Sequence, residues 1–135
     1  MADLSIFLPK TIINLVRKRD VPNPWRVEEG TILFCDVAGF TPLTETLSKM
    51  GKEGAEQLTL ILNRYFSAMI EIVYKKSGDV VRFGGDAMTL FFAAGLEESA
   101  VSCALEMMLK MRDFKEIKAG GVSFSLEMKI GAAHG

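Results

Sequence analysis

Apolar positions follow two rhythms along this chain. Contiguous short runs alternate with long stretches in which apolar residues return every three or four positions. The first run, Thr31 to Asp36 (Thr-Ile-Leu-Phe-Cys-Asp), has the unbroken apolar character of a central strand covered on both faces. Between Glu53 and Lys75, Leu58, Ile61, Leu62, Tyr65, Phe66, Met69, Ile70 and Val73 recur at helical spacing, predicting one long helix with one buried stripe. A shorter helix is predicted from Pro42, with Thr41 as its N-cap and Glu45 supporting its dipole, ended by Met50-Gly51-Lys52.

Ser77-Gly78 closes the long helix. Asp79 to Phe83, a Gly84-Gly85 turn, and Asp86 to Phe92 then read as a hairpin. A helix follows over 97–114, opened by Glu97 and Glu98, and Val122 to Ala132 is expected as a last strand. Ahead of all this, residues 9–18 predict a short amphipathic helix carrying Ile12, Ile13, Leu15 and Val16. The prolines of Val21-Pro22-Asn23-Pro24-Trp25 end it. Two regions result: 1–25, helix and linker, and 26–135, the main domain. The order strand, helices, strand, strand, helix, strand is that of an α+β, ferredoxin-like (split βαβ) antiparallel sheet.

Composition narrows the class. The 135 residues, nearly half of them apolar, suffice for one domain with a real core. A formal net charge of −1 gives no basic field for nucleic acid. Cys35 and Cys103 sit in apolar segments and read as buried, reduced thiols, which points to the cytoplasm. The eight methionines read as core filler. No apolar run reaches the roughly 18 to 20 residues of a membrane span. Asp3 and Pro9 break up the N-terminal apolar stretch, so it does not read as a signal peptide.

The chemistry lies in two aspartates. In a split βαβ sheet the first and third strands are antiparallel neighbours, so the end of the first meets the start of the third. Asp36 stands at one of these places and Asp86 at the other. A carboxylate pair is costly without cations, and hard oxygen ligands select Mg²⁺ or Mn²⁺. Ala38-Gly39-Phe40-Thr41, between strand and helix, reads as a phosphate cradle of backbone amides. Two metals about 3.5–4 Å apart then suit phosphoryl chemistry.

Asp36-Val37-Ala38-Gly39-Phe40-Thr41 resembles the Asp-Ile-x-Gly-Phe-Thr segment of class III adenylyl and guanylyl cyclases, and Gly85-Asp86 their second metal segment. Gly54-Ala55-Glu56-Gln57-Leu58, Leu62-Asn63-Arg64-Tyr65-Phe66 and Lys129-Ile130-Gly131-Ala132-Ala133-His134-Gly135 also resemble the family. Leu8-Pro9 and Arg82-Phe83-Gly84-Gly85-Asp86-Ala87 are similar to the first catalytic half of soluble, bicarbonate-responsive adenylyl cyclases. The resemblance covers roughly residues 8–135.

It implies that Asp36 and Asp86, with the Val37 carbonyl, bind two Mg²⁺ or Mn²⁺ ions. Ala38, Gly39, Phe40 and Thr41 would hold the triphosphate of ATP. The ribose 3′-hydroxyl would attack the α-phosphate, giving cyclic AMP and pyrophosphate, at an interface with a second cyclase domain. Arg82 takes a position that contacts the base, or a regulatory anion such as bicarbonate. The family's transition-state Asn and Arg have no counterpart in the sequence, so the chain reads as a fragment, inactive alone. Its alternatives are a non-catalytic regulatory or dimerising half and a diguanylate cyclase, whose Arg-Tyr-Gly-Gly-Asp-Glu-Phe segment Arg82–Asp86 resembles until Ala87-Met88 replaces Glu-Phe. His134 reads as an ordinary strand-end residue.

Overall fold

A computed structural model describes residues 27–135 together with Ile13. The expected helix over 9–18 and the linker to 25 lie outside the described residues, apart from Ile13, which is helical. The elements are β1 (Gly30–Ala38), α1 (Phe40–Ser48), α2 (Gly51–Lys75), β2 (Asp79–Gly84), β3 (Ala87–Ala93), α3 (Glu97–Lys110), a 3₁₀ turn (Met111–Phe114), β4 (Ile117–Ala119), β5 (Val122–Phe124) and β6 (Glu127–His134). No helix among the described residues is long and apolar enough to cross a membrane.

Four strands form one sheet in the order β2-β3-β1-β6, every neighbour antiparallel. This is the expected split βαβ arrangement. Leu33, Cys35 and Val37 of β1 and Met88, Leu90 and Phe92 of β3 point to one side of it and are buried. Tyr65, Met69 and Val73 of α2, Leu43 and Leu47 of α1, and Ala100, Cys103 and Met107 of α3 are buried with them in a single core.

The other side of the sheet is open, which corrects the expectation that β1 is covered on both faces. Its residues alternate strictly, and Ile32 and Phe34 are 46% and 52% exposed. Apolar side chains at those outward positions make the run look continuous and hide the period of two.

Three boundaries differ from the expectations. The last strand is divided: β4 and β5 form a separate hairpin around Gly120-Gly121, both at positive φ, and β6 starts only at Glu127. Between them the Leu126 amide donates to the Phe114 carbonyl, 2.9 Å away, tying the connection to the 3₁₀ turn. Helix α1 begins at Phe40 rather than Pro42, and its N-cap is Gly39, not Thr41. The glycine's φ of 107° turns the chain without a side-chain cap. The hairpin register Gly84↔Ala87 makes Gly85-Asp86 the two-residue loop. Gly85 has φ 62°, the sign a type II′ hairpin needs at its first central position.

At the far end of β1 the chain is clasped. Gly30 and Gly135 exchange backbone hydrogen bonds of 2.9 and 3.1 Å. The Thr31 hydroxyl and His134 Nδ1 lie 3.1 Å apart. Histidine here pairs with a strand neighbour, five residues along β1 from Asp36.

Burial raises the Cys35 thiol to about 12, helped by the nearby Cys103, and the Cys103 thiol to about 11, helped by Glu106. Both lie above the usual thiol range near 8.5, so their stabilising contribution is full below that pH and is lost as pH climbs toward 11–12. We expect neither cysteine to take iodoacetamide at pH 8 until the protein unfolds. Mass-spectrometric labelling along a urea series checks this, and a label on folded protein would contradict the burial.

Candidate functional site

Asp36 lies near the C-terminal end of β1, the strand at the centre of the sheet. The last β1–β3 pair is Cys35↔Met88; Asp36 is the next residue along β1, and Asp86, in the hairpin loop, lies two residues before Met88. Two carboxylates separated by fifty positions in sequence are thus carried to the same end of the sheet. Both are exposed. Among the described residues neither carries an ion pair or a side-chain hydrogen bond.

The Tyr65 phenol is raised above its ordinary range by burial first, then by Cys35, Asp36 and Asp86.

The cradle follows directly. Val37 is buried, so it presents its backbone to the site and its side chain to the core. Ala38 and Thr41 are exposed, and Phe40 is buried against Tyr65, ring centroids 5.3 Å apart. A side chain at Gly39 would place its Cβ 2.3 Å from the Ser125 carbonyl oxygen, so the β5–β6 connection closes over the turn. Helix α1 has no side-chain cap and no acidic residue in its first turn. Its leading amides are left without an internal partner, and the helix dipole adds positive potential there.

This donor set fits a hard divalent cation. Two carboxylates without ion pairs among the described residues, together with backbone carbonyls, are oxygen ligands only. Among the described residues no group of three or more His, Cys, Asp or Glu side chains gathers. The protein would supply two carboxylates and leave the remaining positions to water and phosphate, as magnesium sites commonly do.

Arg82 sits on the open face. A bulge at Val81 breaks the β2–β3 register between Val80↔Leu90 and Arg82↔Thr89, and Thr89 is also the partner of Phe34. Arg82, Thr89 and Phe34 form a row across the sheet, one repeat away from Asp36. Arg82 is exposed and makes no ion pair among the described residues.

One residue at the site escaped the sequence reasoning. Lys129 of β6 lies directly opposite Asp36 in the β1–β6 register and is exposed on the same face. Among the described residues Lys129 makes no ion pair, which leaves its ammonium able to meet an anion beside the carboxylates. Its only mark in the sequence is a place in the Lys-Ile-Gly segment, because nothing in the sequence fixes the β6 register.

Residues 23–135 match the adenylate and guanylate cyclase catalytic domain family. Adenylate cyclase type 10 of Mus musculus is 32% identical over 111 residues, 79% of this chain and 7% of that protein. The adenylate cyclase of Anabaena cylindrica is 25% identical over 117 residues, 82% of this chain and 22% of that protein. The chain thus spans only a small part of these relatives. Among solved structures, the adenylyl cyclase CyaB from P. aeruginosa superposes with a TM-score of 0.61 at 29% identity, covering 78% of this chain and 55% of that one. A bacterial light-regulated adenylyl cyclase superposes with a TM-score of 0.73 over 97% of this chain and 38% of its own, and at 23% identity that likeness concerns the fold.

Proposed function

The chain belongs to the adenylate and guanylate cyclase catalytic domain family, and from that premise we propose that it is the metal- and triphosphate-binding part of an adenylyl cyclase, a phosphorus-oxygen lyase of cyclic nucleotide signalling. The observation that supports this reading is the placement of Asp36 and Asp86 at the same end of the β1–β3 pair, next to the uncapped start of α1. The choice of ATP over GTP rests on the names of the relatives, which are adenylate cyclases.

In this reading Asp36, Asp86 and the Val37 carbonyl hold two Mg²⁺ or Mn²⁺ ions. When bound, the cations would neutralise phosphate charge and make the ribose 3′-hydroxyl a better nucleophile. The amides of Gly39, Phe40 and Thr41, with Ala38 turning the chain into them, orient the triphosphate. Lys129 adds a cation on the same face. The 3′-oxygen bonds to the α-phosphorus, the bond to the bridging oxygen breaks, pyrophosphate leaves with that electron pair, and the hydroxyl proton passes to solvent.

Arg82 faces the base or a regulatory anion such as bicarbonate. A guanidinium offers donors only, so it suits either an acceptor edge of the base or an anion. The open face, with Ile32 and Phe34 half exposed, is the surface we assign to a second cyclase domain.

The full-length protein, given Mn²⁺ and ATP, is expected to release cyclic AMP and pyrophosphate in equal amounts. Chromatographic product analysis with ATP and GTP in parallel tests this. Cyclic GMP alone would overturn the substrate assignment, and no cyclic product from either nucleotide would overturn the reading itself.

A further inference from the structure

The flank of α3 that turns away from α2 carries an uncovered apolar stripe. Ala100, Cys103 and Met107 bury the helix against the core. Val101, Leu105 and Met108, spaced four and three residues apart, share another face and are 58%, 61% and 46% exposed. The stripe borders a groove of about 590 Å³ between α3 and the start of β6, lined by Leu105, Met108, Arg112, Leu126 and Met128. Because β6 is the edge of the sheet and α3 packs over β1 and β3, no described helix roofs this groove.

One segment of this chain matches the stripe in chemistry and reach. The helix expected over 9–18 lies outside the described residues, apart from Ile13, which is helical. A helix that short is marginal alone in water and needs an apolar surface to hold it. Ile12 and Val16 are one turn apart on it, as Val101 and Leu105 are on α3. The tether, residues 19–26, extends at most about 29 Å. The chain enters the fold beside the start of α3: the Ala94 amide donates to the Glu29 carbonyl at 3.2 Å, and α3 opens at Glu97. Val101 lies only about 6 Å further along that helix.

Charge selects the direction. Arg17-Lys18-Arg19 stands at the tethered end of the segment. Glu97 and Glu98 form the acidic first turn of α3, whereas Arg112 and Lys115 line the far end of the groove. An antiparallel helix brings the basic end to the acidic turn, and a parallel one would set it among like charges. We propose that residues 9–18 dock as an antiparallel helix on α3, Val16 beside Val101 and Ile12 beside Leu105, with Arg17-Lys18-Arg19 at Glu97 and Glu98. Docked there, the segment bears on α3, which packs on β1 and β3, the two strands beside the aspartates. This docking is independent of the cyclase reading.

The test uses full-length protein carrying Ile12→Cys and Leu105→Cys; Leu105 is exposed, so its replacement spares the core. Copper–phenanthroline oxidation is expected to link the two within one chain, in about fivefold or greater yield over the pair Ile12→Cys and Ile32→Cys on the open face, as read by peptide mass spectrometry. Arg17→Glu with Lys18→Glu should lower the 12–105 yield about fivefold, and adding Glu97→Lys with Glu98→Lys should restore it. In protein with no new cysteine, deleting residues 1–18 should speed amide exchange over 101–108 by about tenfold. A link between two chains, a preference for position 32, no link from position 12, or unchanged exchange after the deletion would each overturn the docking and leave the cyclase reading intact.

Discussion

Asp86→Ala, and equally Asp36→Ala, is expected to reduce metal-dependent nucleotide binding by roughly a hundredfold or more, about 3 kcal/mol, since each removes one of the two charged ligands proposed above. Titration calorimetry with Mn²⁺ and an ATP analogue measures the loss. The fold should survive both substitutions. The two carboxylates are exposed and have no ion pair among the described residues, so removing one relieves repulsion and breaks no ion pair there. A thermal midpoint at or slightly above that of the wild type, together with lost binding, separates a ligand from a structural aspartate. Retained binding in either variant would mean that the pair is not the metal site.

Gly39→Ala should be damaging for the opposite reason, through the backbone. At φ 107° an L-residue is strained by about 1–2 kcal/mol, and its Cβ would lie 2.3 Å from the Ser125 carbonyl oxygen, far inside any real contact. Either the β5–β6 connection shifts or the turn into α1 does. The expected result is a loss of about 3 kcal/mol in urea-induced unfolding, with weaker nucleotide binding in whatever remains folded. Gly85→Ala offers a comparison: its φ is also positive, at 62°, but nothing lies within 4 Å of its missing Cβ. It should cost only about 1 kcal/mol. Equal losses at the two positions would remove the role given to Ser125.

Much of this was legible in the sequence because the relevant signals are local or topological. The 3.6-residue stripe from Leu58 to Val73 identifies α2, and the order of elements alone brings Asp36 toward Asp86. What stayed hidden depends on register and packing. Ile32 and Phe34 disguised an exposed face as a buried one, because outward apolar residues carry no mark of their partner. Gly120-Gly121 ends β4 and starts β5, yet both fell outside the single strand expected from Val122. Thr41 looked like a cap by residue type, whereas Gly39 performs the turn by conformation. Lys129 could not be placed beside Asp36 without the β1–β6 register.

The bulge at Val81 has a consequence for how this site is specified. In a regular ladder, positions 80 and 82 share a face, and Val80 is paired with the buried Leu90. Arg82 would then point toward the helices. The extra residue reverses the parity of the strand from that point on, delivering the guanidinium to the side where Asp36 and Lys129 stand and returning Phe83 to the aromatic Phe66 beneath. Which side chain reaches the open face is therefore written in a one-residue frame as much as in the residue itself. Restoring the regular frame would exchange an arginine for an aromatic ring at the open face with no change in the amino acids of the site.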